Sequence, residues 1–594
     1  MKQFLRYTLL FGLIFLLLFT WGKPVCFIND EWITASQLSQ LANHHQVLYA
    51  EGKYGFLEDG SPTPYFKEKN LLLQYTMYLP LLSYIPLVIM KTAGDAIPYG
   101  ASVAWSLCVI ILCLGIRTNM LLGIHSRIIA DLGITCSILF FFLNLWFYAP
   151  LLMNTESTND ELLGVWLFHM VLFILLLGVI YAICTTVFED DTLYALFSII
   201  TCTCCSSYLF WTTTLKDHID SVFFVALILY FLLQYQKTRD YWYFPVAFIL
   251  SGLLTWIRPE YGFFVICMLV VVYGAVLRAQ PLNLQKKYRF ACIILCPFFT
   301  ILGAIPLFVG NFLTTGHPFT LAWQVQPPQT YISQLPSSIP QETTFFSVIL
   351  TVLNRITPHL NTLPADLYGV FLNPAALKAP ILAITPVCTL GILLLPFLYL
   401  YQKKKIEKNE WITIFIFLSI VFATIAAYAS KFNGLGTSTG IYPDVRYLCP
   451  VYLPLNIIGL ILIRKILVNP ADIKKIITWV FGIGCAGIPV ILGLMTFFRP
   501  GLDFWGMFLR VNGFFTILVY CSIAGAFFMY AFRLYGLMKR DHLLVPISFL
   551  IALPFLWQFS LLVITNFYPV MFIAYPPLLP FIRALLEFLL TFGG

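Results

Sequence analysis

Hydrophobic and polar residues alternate along this chain in long blocks rather than in short periods. Runs of about 18 to 25 mostly apolar residues, the length a helix needs to cross a bilayer, are separated by short polar connections. Blocks of this kind fall near 97–116, 129–151, 163–187, 192–211, 219–236, 242–257, 261–277 and 290–310. A second series falls near 379–400, 411–429, 447–466, 475–497, 510–534, 543–564 and 570–590. A further apolar run ends at Trp21; it opens with Lys2 and Arg6, no small-residue cleavage site follows it, and it reads as an uncleaved helix with its basic end in the cytoplasm. The pattern predicts an all-α polytopic membrane protein with about 13 to 16 spans.

Two long stretches break the rhythm, 28–96 and 311–378. In the first, Ala35 to Gln46 has helical spacing and Gly52 to Pro64 is rich in turn formers. The apolar segment Leu71–Met90 carries Pro80, Pro86, Gln74, Tyr75, Tyr78, Ser83 and Tyr84, which suits a helix lying along the membrane surface better than a span. That choice puts Arg117/Arg127, Lys237/Arg239, Arg278/Lys286/Lys287/Arg289, Lys403–Lys405, Arg464/Lys465/Lys474/Lys475 and Lys539/Arg540 on one side, the cytoplasmic one. Only Glu189-Asp190-Asp191 runs against the pattern, and acidic residues count for little in it.

Composition agrees: 60% of residues are hydrophobic and 10% charged, against about 25% charged in soluble domains, and the mean hydropathy is +0.86. The net charge of +8 is explained by the inner loops and does not call for nucleic acid. Fifteen cysteines lie mostly inside apolar runs; Cys202, Cys204 and Cys205 point three ways from a helix and suit packing rather than metal binding.

Chemistry concentrates on the outer side. It collects Asp30/Glu31, Lys67/Lys69, Asp160/Glu161, Lys216-Asp217-His218 with Asp220, Arg258-Pro259-Glu260 and Asp444-Val445-Arg446-Tyr447. An ionised pair such as Asp30/Glu31 beside hydrocarbon is costly and usually functional. Carboxylates offer a general base, while Lys69, Lys216, Arg258 and Arg446 offer contacts for a phosphate. A lipid phosphate leaves without protonation, so a base on the acceptor and cations on the departing charge suffice for group transfer. Plainer roles compete: Asp30 as an N-cap, Lys67/Glu68/Lys69 as interfacial anchors, Asp217 and His218 as caps of the next helix, Arg258-Pro259 as a helix end, and Asp160/Glu161 as a helix N-terminus. A divalent metal on His218 is disfavoured, because no further ligand set accompanies it.

The pieces Asn29-Asp30-Glu31-Trp32, Tyr65-Phe66-Lys67-Glu68-Lys69-Asn70-Leu71, Thr214-Leu215-Lys216-Asp217-His218, Gly252-Leu253-Leu254-Thr255-Trp256-Ile257-Arg258-Pro259, Gly316-His317-Pro318-Phe319 and Arg446-Tyr447-Leu448-Cys449-Pro450 occur in an order that resembles the GT-C glycosyltransferases. The branch they resemble is that of protein O-mannosyltransferases and aminoarabinose lipid A transferases, glycosyltransferase family 39. The resemblance implies a catalytic transmembrane module over 1–466, with outer loops 28–96 and 311–378, followed by additional helices over 467–594. It implies a polyprenyl-phosphate-linked sugar as donor, an acceptor outside the cytoplasmic membrane, inversion, and no cofactor. By that resemblance Asp30 is the base, with Glu31 and Asp217 as the other acids. Tyr65, Lys69, Lys216, His218, Arg258, Arg446 and Tyr447 then surround the lipid phosphate and sugar. The chief rival is a transporter or lipid flippase, which ordinarily places ionisable groups near the bilayer midplane on paired repeats; no such repeat is visible.

Overall fold

The computed structural model describes residues 22–27, 30–50, 52–55, 71–118, 127–148, 159–189, 191–279, 293–321, 350, 361–373, 378–400, 406–429, 444, 446–467, 469–568 and 573–592. The chain enters through a two-residue strand, β1 (Val25–Cys26), and a polar helix, α1 (Glu31–Ala42). α2 (Tyr78–Ala93) follows, then α3 (Ala96–Arg117), α4 (Arg127–Trp146) and α5 (Asp160–Val187). Next come α6 (Thr192–Cys204), the single turn α7 (Tyr208–Trp211), α8 (His218–Thr238), α9 (Tyr243–Ile257), α10 (Pro259–Ala279) and α11 (Phe299–Thr315). α12 (Leu363–Phe371), α13 (Ile381–Ile384), α14 (Pro386–Leu400), α15 (Lys408–Tyr428) and α16 (Cys449–Arg464) lead to the last group. That group is α17 (Pro470–Phe498), α18 (Phe504–Leu534), α19 (Arg540–Phe567), β2 (Ile573–Ala574) and α20 (Pro580–Phe592).

Ten helical stretches among the described residues are long and apolar enough to cross a membrane, and the architecture is that of an all-α multi-pass membrane protein. Many outward-facing side chains are large and apolar, Leu313, Phe497 and Phe514 among them, as expected of a bundle bathed in lipid. α2 has 16 residues, short of the roughly 20 a span needs. It exposes Ile85 and Ile89 while Leu87 packs against Gly164 near the start of α5, and Lys91 lies 3.9 Å from Asp160. The helix expected from Ala35 instead begins at Glu31 and ends at Ala42. The first turn of α5 does more than end a helix: Glu161 accepts hydrogen bonds from Tyr54 at 2.5 Å and Lys53 at 3.1 Å, fastening the first loop to the bundle.

Several expected spans differ: the block 242–257 is a helix of only 15 residues, and 379–400 is split at Thr385 into α13 and α14. The block 192–211 is broken at residues 205–207, between α6 and α7. The run Cys-Thr-Cys-Cys-Ser-Ser is weakly helix-forming, and amides from distant helices satisfy the freed backbone. Gln558 of α19 donates to the carbonyls of Thr203 and Cys204 and accepts from the N–H of Leu209, and Asn456 of α16 donates to the carbonyl of Cys205 at 2.6 Å. The block 570–590 is not one helix. Ile573–Ala574 pairs antiparallel with Val25–Cys26, and α20 has only 13 residues. Pro576, Pro577 and Pro580 interrupt helix formation there. One hydrophobic core runs from Val25 to Leu586, so residues beyond 467 share it with the rest.

α9 and α11 cross with their backbones in contact. A Cβ added at Gly303 would lie 1.9 Å from the carbonyl oxygen of Ile249, and one at Gly252 would lie 2.2 Å from that of Thr300. Neither helix can give way without breaking its own hydrogen bonds, so the pair acts as a glycine-dependent joint. Gly303→Leu should lower the melting temperature in detergent, with a cost in the range of about 1–3 kcal/mol or more for overpacking. Gly274→Leu, where nothing lies within 4 Å, should leave it nearly unchanged. Equal melting of the two variants would refute the joint.

Candidate active site

The polar residues gather where α1 begins, where α8 and α16 begin and where α15 ends. Asp30 sits at the start of α1 with helical backbone angles, φ −78° and ψ −6°, and its side chain makes no capping hydrogen bond. It turns away from its own helix instead. Its Oδ2 accepts from the Tyr75 hydroxyl at 2.6 Å, lies 2.7 Å from the Lys216 ammonium and 3.6 Å from the Arg446 guanidinium. Lys216 also donates to the Tyr75 hydroxyl and rests over its ring, 4.2 Å from the centroid. Burial pushes the Asp30 carboxyl up, but Lys216, Arg446 and the hydrogen bonds from Lys216 and Tyr75 outweigh it and hold the group well below the ordinary carboxylate range. Oδ1 of Asp30 is buried and has no partner.

Glu31, one residue on, has the opposite environment. It is fully buried, and its Oε2 accepts from the backbone N–H of Phe27 at 2.9 Å and of Leu215 at 3.3 Å. Burial drives its pKa up to about 8 against the pull of Lys216. Glu31 therefore braces the segment that carries Lys216 rather than joining Asp30 among the cations.

A second cluster adjoins the first. Asp217, at the head of α8, also makes no capping bond. Arg258 grips it with two donors, Nε to Oδ2 at 2.9 Å and Nη2 to Oδ1. The same guanidinium donates to Tyr428 at 3.3 Å and to Nδ1 of His218 at 3.1 Å. With Nδ1 accepting, His218 carries its proton on Nε2. Tyr447 stacks on Tyr428 with centroids 5.1 Å apart and accepts from Arg446 at 3.0 Å. Nε and Nη1 of Arg446 are buried and unpartnered.

Beside the clusters is a cavity of about 190 Å³ whose wall includes Tyr75, Lys216, Asp217, Arg258, Tyr428 and Tyr447, together with Tyr78–Pro80 of α2. Of the residues singled out in the sequence, Lys216, Asp217, Arg258 and Tyr447 line this cavity, while Asp30, His218 and Arg446 do not line it and join the group through their contacts with these residues. Tyr65 and Lys69 lie outside the described residues. Sequence patterns assign no role in the site to four participants. Tyr75 and Tyr428 look like ordinary interfacial aromatics. Asp444 binds Ser207 at 2.5 Å, Tyr452 at 2.6 Å and Trp211 at 3.0 Å, anchoring the turn that presents Arg446; burial raises its pKa despite these donors. His169, alone in an apolar run, lies 3.0 Å from the carbonyl of Thr214 and 3.1 Å from Asp220, pinning the chain two residues before Lys216.

Glu31 makes stability depend on pH in a defined sense. Folding favours its neutral form, so its contribution is complete below its ordinary value of 4.5 and is lost as pH rises to about 8. Asp30 shifts the other way, and its contribution changes below 3.8, outside this window. Glu31→Gln retains an acceptor for Phe27 and Leu215 without the titration. The wild-type melting temperature should fall between pH 5 and 8 relative to Glu31→Gln, and parallel profiles would contradict the assignment.

No model of a known protein family and no curated protein matches the chain. Among solved structures it is similar to the crystal structure of ArnT from Cupriavidus metallidurans bound to undecaprenyl phosphate, with a TM-score of 0.43 and 10% identity, covering 94% of this chain and 76% of that one. At that identity such a likeness assigns neither an activity nor a ligand to this chain.

Proposed function

We propose that the chain is an integral membrane glycosyltransferase of the GT-C type, which moves a sugar from a polyprenyl-phosphate donor to an acceptor outside the cytoplasmic membrane with inversion. The observation that carries this is Arg446: a buried guanidinium with two unpartnered nitrogens, Nε and Nη1, beside a lysine and an ionised carboxylate. A buried cation with idle donors is expensive unless an anion comes to it. A phosphate supplies that anion and suits a planar fork of donors.

In this reaction the bond between the sugar's anomeric carbon and the phosphate oxygen breaks, and its electron pair leaves with the phosphate. The acceptor oxygen or nitrogen forms the new bond from the opposite face and yields its proton to Asp30. Paired with Lys216, Asp30 is a weak base. The arriving phosphate competes for Lys216 and Arg446, and as they turn to it the carboxylate regains basicity. Donor binding thereby arms the base, with Oδ1 as the receiving atom. Asp217 and Arg258 neutralise one another and shape the opposite wall. The lipid tail leaves past Tyr78–Pro80 toward the apolar outer face of α2. Against a flippase, the charged side chains buried among the described residues lie at helix ends or in connections, and α8 between its ends is lined by Val225, Ile228, Leu229 and Leu232.

The test uses purified protein in proteoliposomes with a panel of polyprenyl-phosphate sugars, reading release of the polyprenyl phosphate. Asp30→Asn should slow turnover by about 10²- to 10⁴-fold with donor binding retained, whereas Arg446→Gln should weaken donor binding. Near-normal turnover in Asp30→Asn would remove it as the base. For orientation, a cysteine at the exposed position of His45 should react with an impermeant thiol reagent on intact cells, and one at Lys408 should not. The reverse pattern would place the site on the cytoplasmic side.

A further inference from the structure

The three helices that frame the Asp30 site also frame a second cavity at their other ends. α8 runs 21 residues, roughly 30 Å, from Asp217 to Arg239. α15 begins beside it at Lys408, α16 finishes at Arg464, and the C-terminal turn of α5 closes the fourth side. The space between them, open to the outside, is about 780 Å³, much larger than the first cavity.

Part of its lining is explained simply. Cations at helix C-termini complement the helix dipole, and Lys465 is paired with Glu410 at 2.7 Å. For Arg239, the C-cap of α8, that account is incomplete. Its Nη1 is buried and has no hydrogen-bond partner. Its backbone is left-handed, φ 65°, and so is that of Glu189 on the facing wall, φ 56°. Glycine or asparagine takes that conformation after a helix most cheaply, so an arginine and a glutamate are kept there at a cost in backbone energy. Arg464, across the cavity, lies over Phe188 and Tyr194, its guanidinium carbon 5.5 Å from each ring centroid, with Asp191 4.0 Å away. Leu233 and Ile461 supply an apolar wall.

We propose that this cavity is a second binding site, for the phosphate of a phospholipid headgroup, with Arg239 and Arg464 as the contacts. The carboxylates of Glu189, Glu407 and Glu410 in the same lining disfavour a polyphosphate and suit a single phosphate with an attached polar group. The buried apolar stretch of α8 separates the two cavities, so this is a separate site and not the far end of a channel. It does not depend on the activity proposed above.

The experiment is native mass spectrometry of the full chain in detergent, titrated with dihexanoyl phosphatidic acid and, separately, with inorganic phosphate. It is run in the wild type and in a Lys216→Met background, so that phosphate held at the Asp30 site is counted apart. Phosphatidic acid should bind in both. Arg239→Gly, which relieves the left-handed strain, should melt no lower than the wild type and yet bind about tenfold or more weakly. Binding of inorganic phosphate with the same Arg239 dependence would support the phosphate site and assign it a soluble ligand. Undiminished phosphatidic acid binding by Arg239→Gly, or no binding of either probe in the Lys216→Met background, would overturn the proposal.

Discussion

Backbone groups withdrawn from water must find partners within the protein, and nowhere is this more demanding than between Cys205 and Lys216. Every residue of that stretch is buried, yet only Tyr208–Trp211 is helical. Side chains from four other parts of the chain meet its needs: Gln558, Asn456, Glu31 and His169. Asp444 adds a hold through Ser207 and Trp211. Lys216 and Asp217 emerge from this clamp with fixed positions. The polar groups of the site are thus extensions of the network that makes an irregular segment tolerable inside a bundle.

The same network separates two neighbouring carboxylates into different chemical states. Adjacent residues at a helix start point about 100° apart, from 3.6 residues per turn. Asp30 meets two cations and stays ionised, while Glu31 meets backbone amides and hydrocarbon and tends to neutrality. Such pairs, pushed apart by surroundings rather than by chemical nature, are how one short segment supplies both a charged group and a structural brace.

The bundle itself was legible, because hydrophobic blocks of bilayer length are a strong signal. The convergence of Asp30, Lys216, Arg258 and Arg446 was legible as a shared side, though not as pairings. Which carboxylate meets which cation depends on side-chain direction and on loop paths hundreds of residues apart. The break after Cys204 was hidden for the same reason: local composition stays apolar, and the amide that satisfies it, Gln558, is 354 residues away. The strand at Ile573 was hidden because two residues carry no periodicity at all. His169 and Tyr75 have roles defined only by what folds against them.

The pairing of Val25–Cys26 with Ile573–Ala574 has a consequence for how the protein is made. Val25 also bonds to Thr213, so the strand just before the acidic pair touches both the irregular segment and a part of the chain synthesised long after it. Helices can enter the bilayer one after another as the chain emerges, but Asp30 cannot be fully seated until α19 and the strand behind it have arrived. Assembly of the site is therefore a late, long-range event, the kind of contact that closes slowly and at high entropic cost. During synthesis the early loop carries its charges without their final partners, which makes this segment the one most dependent on the surroundings in which the chain is inserted.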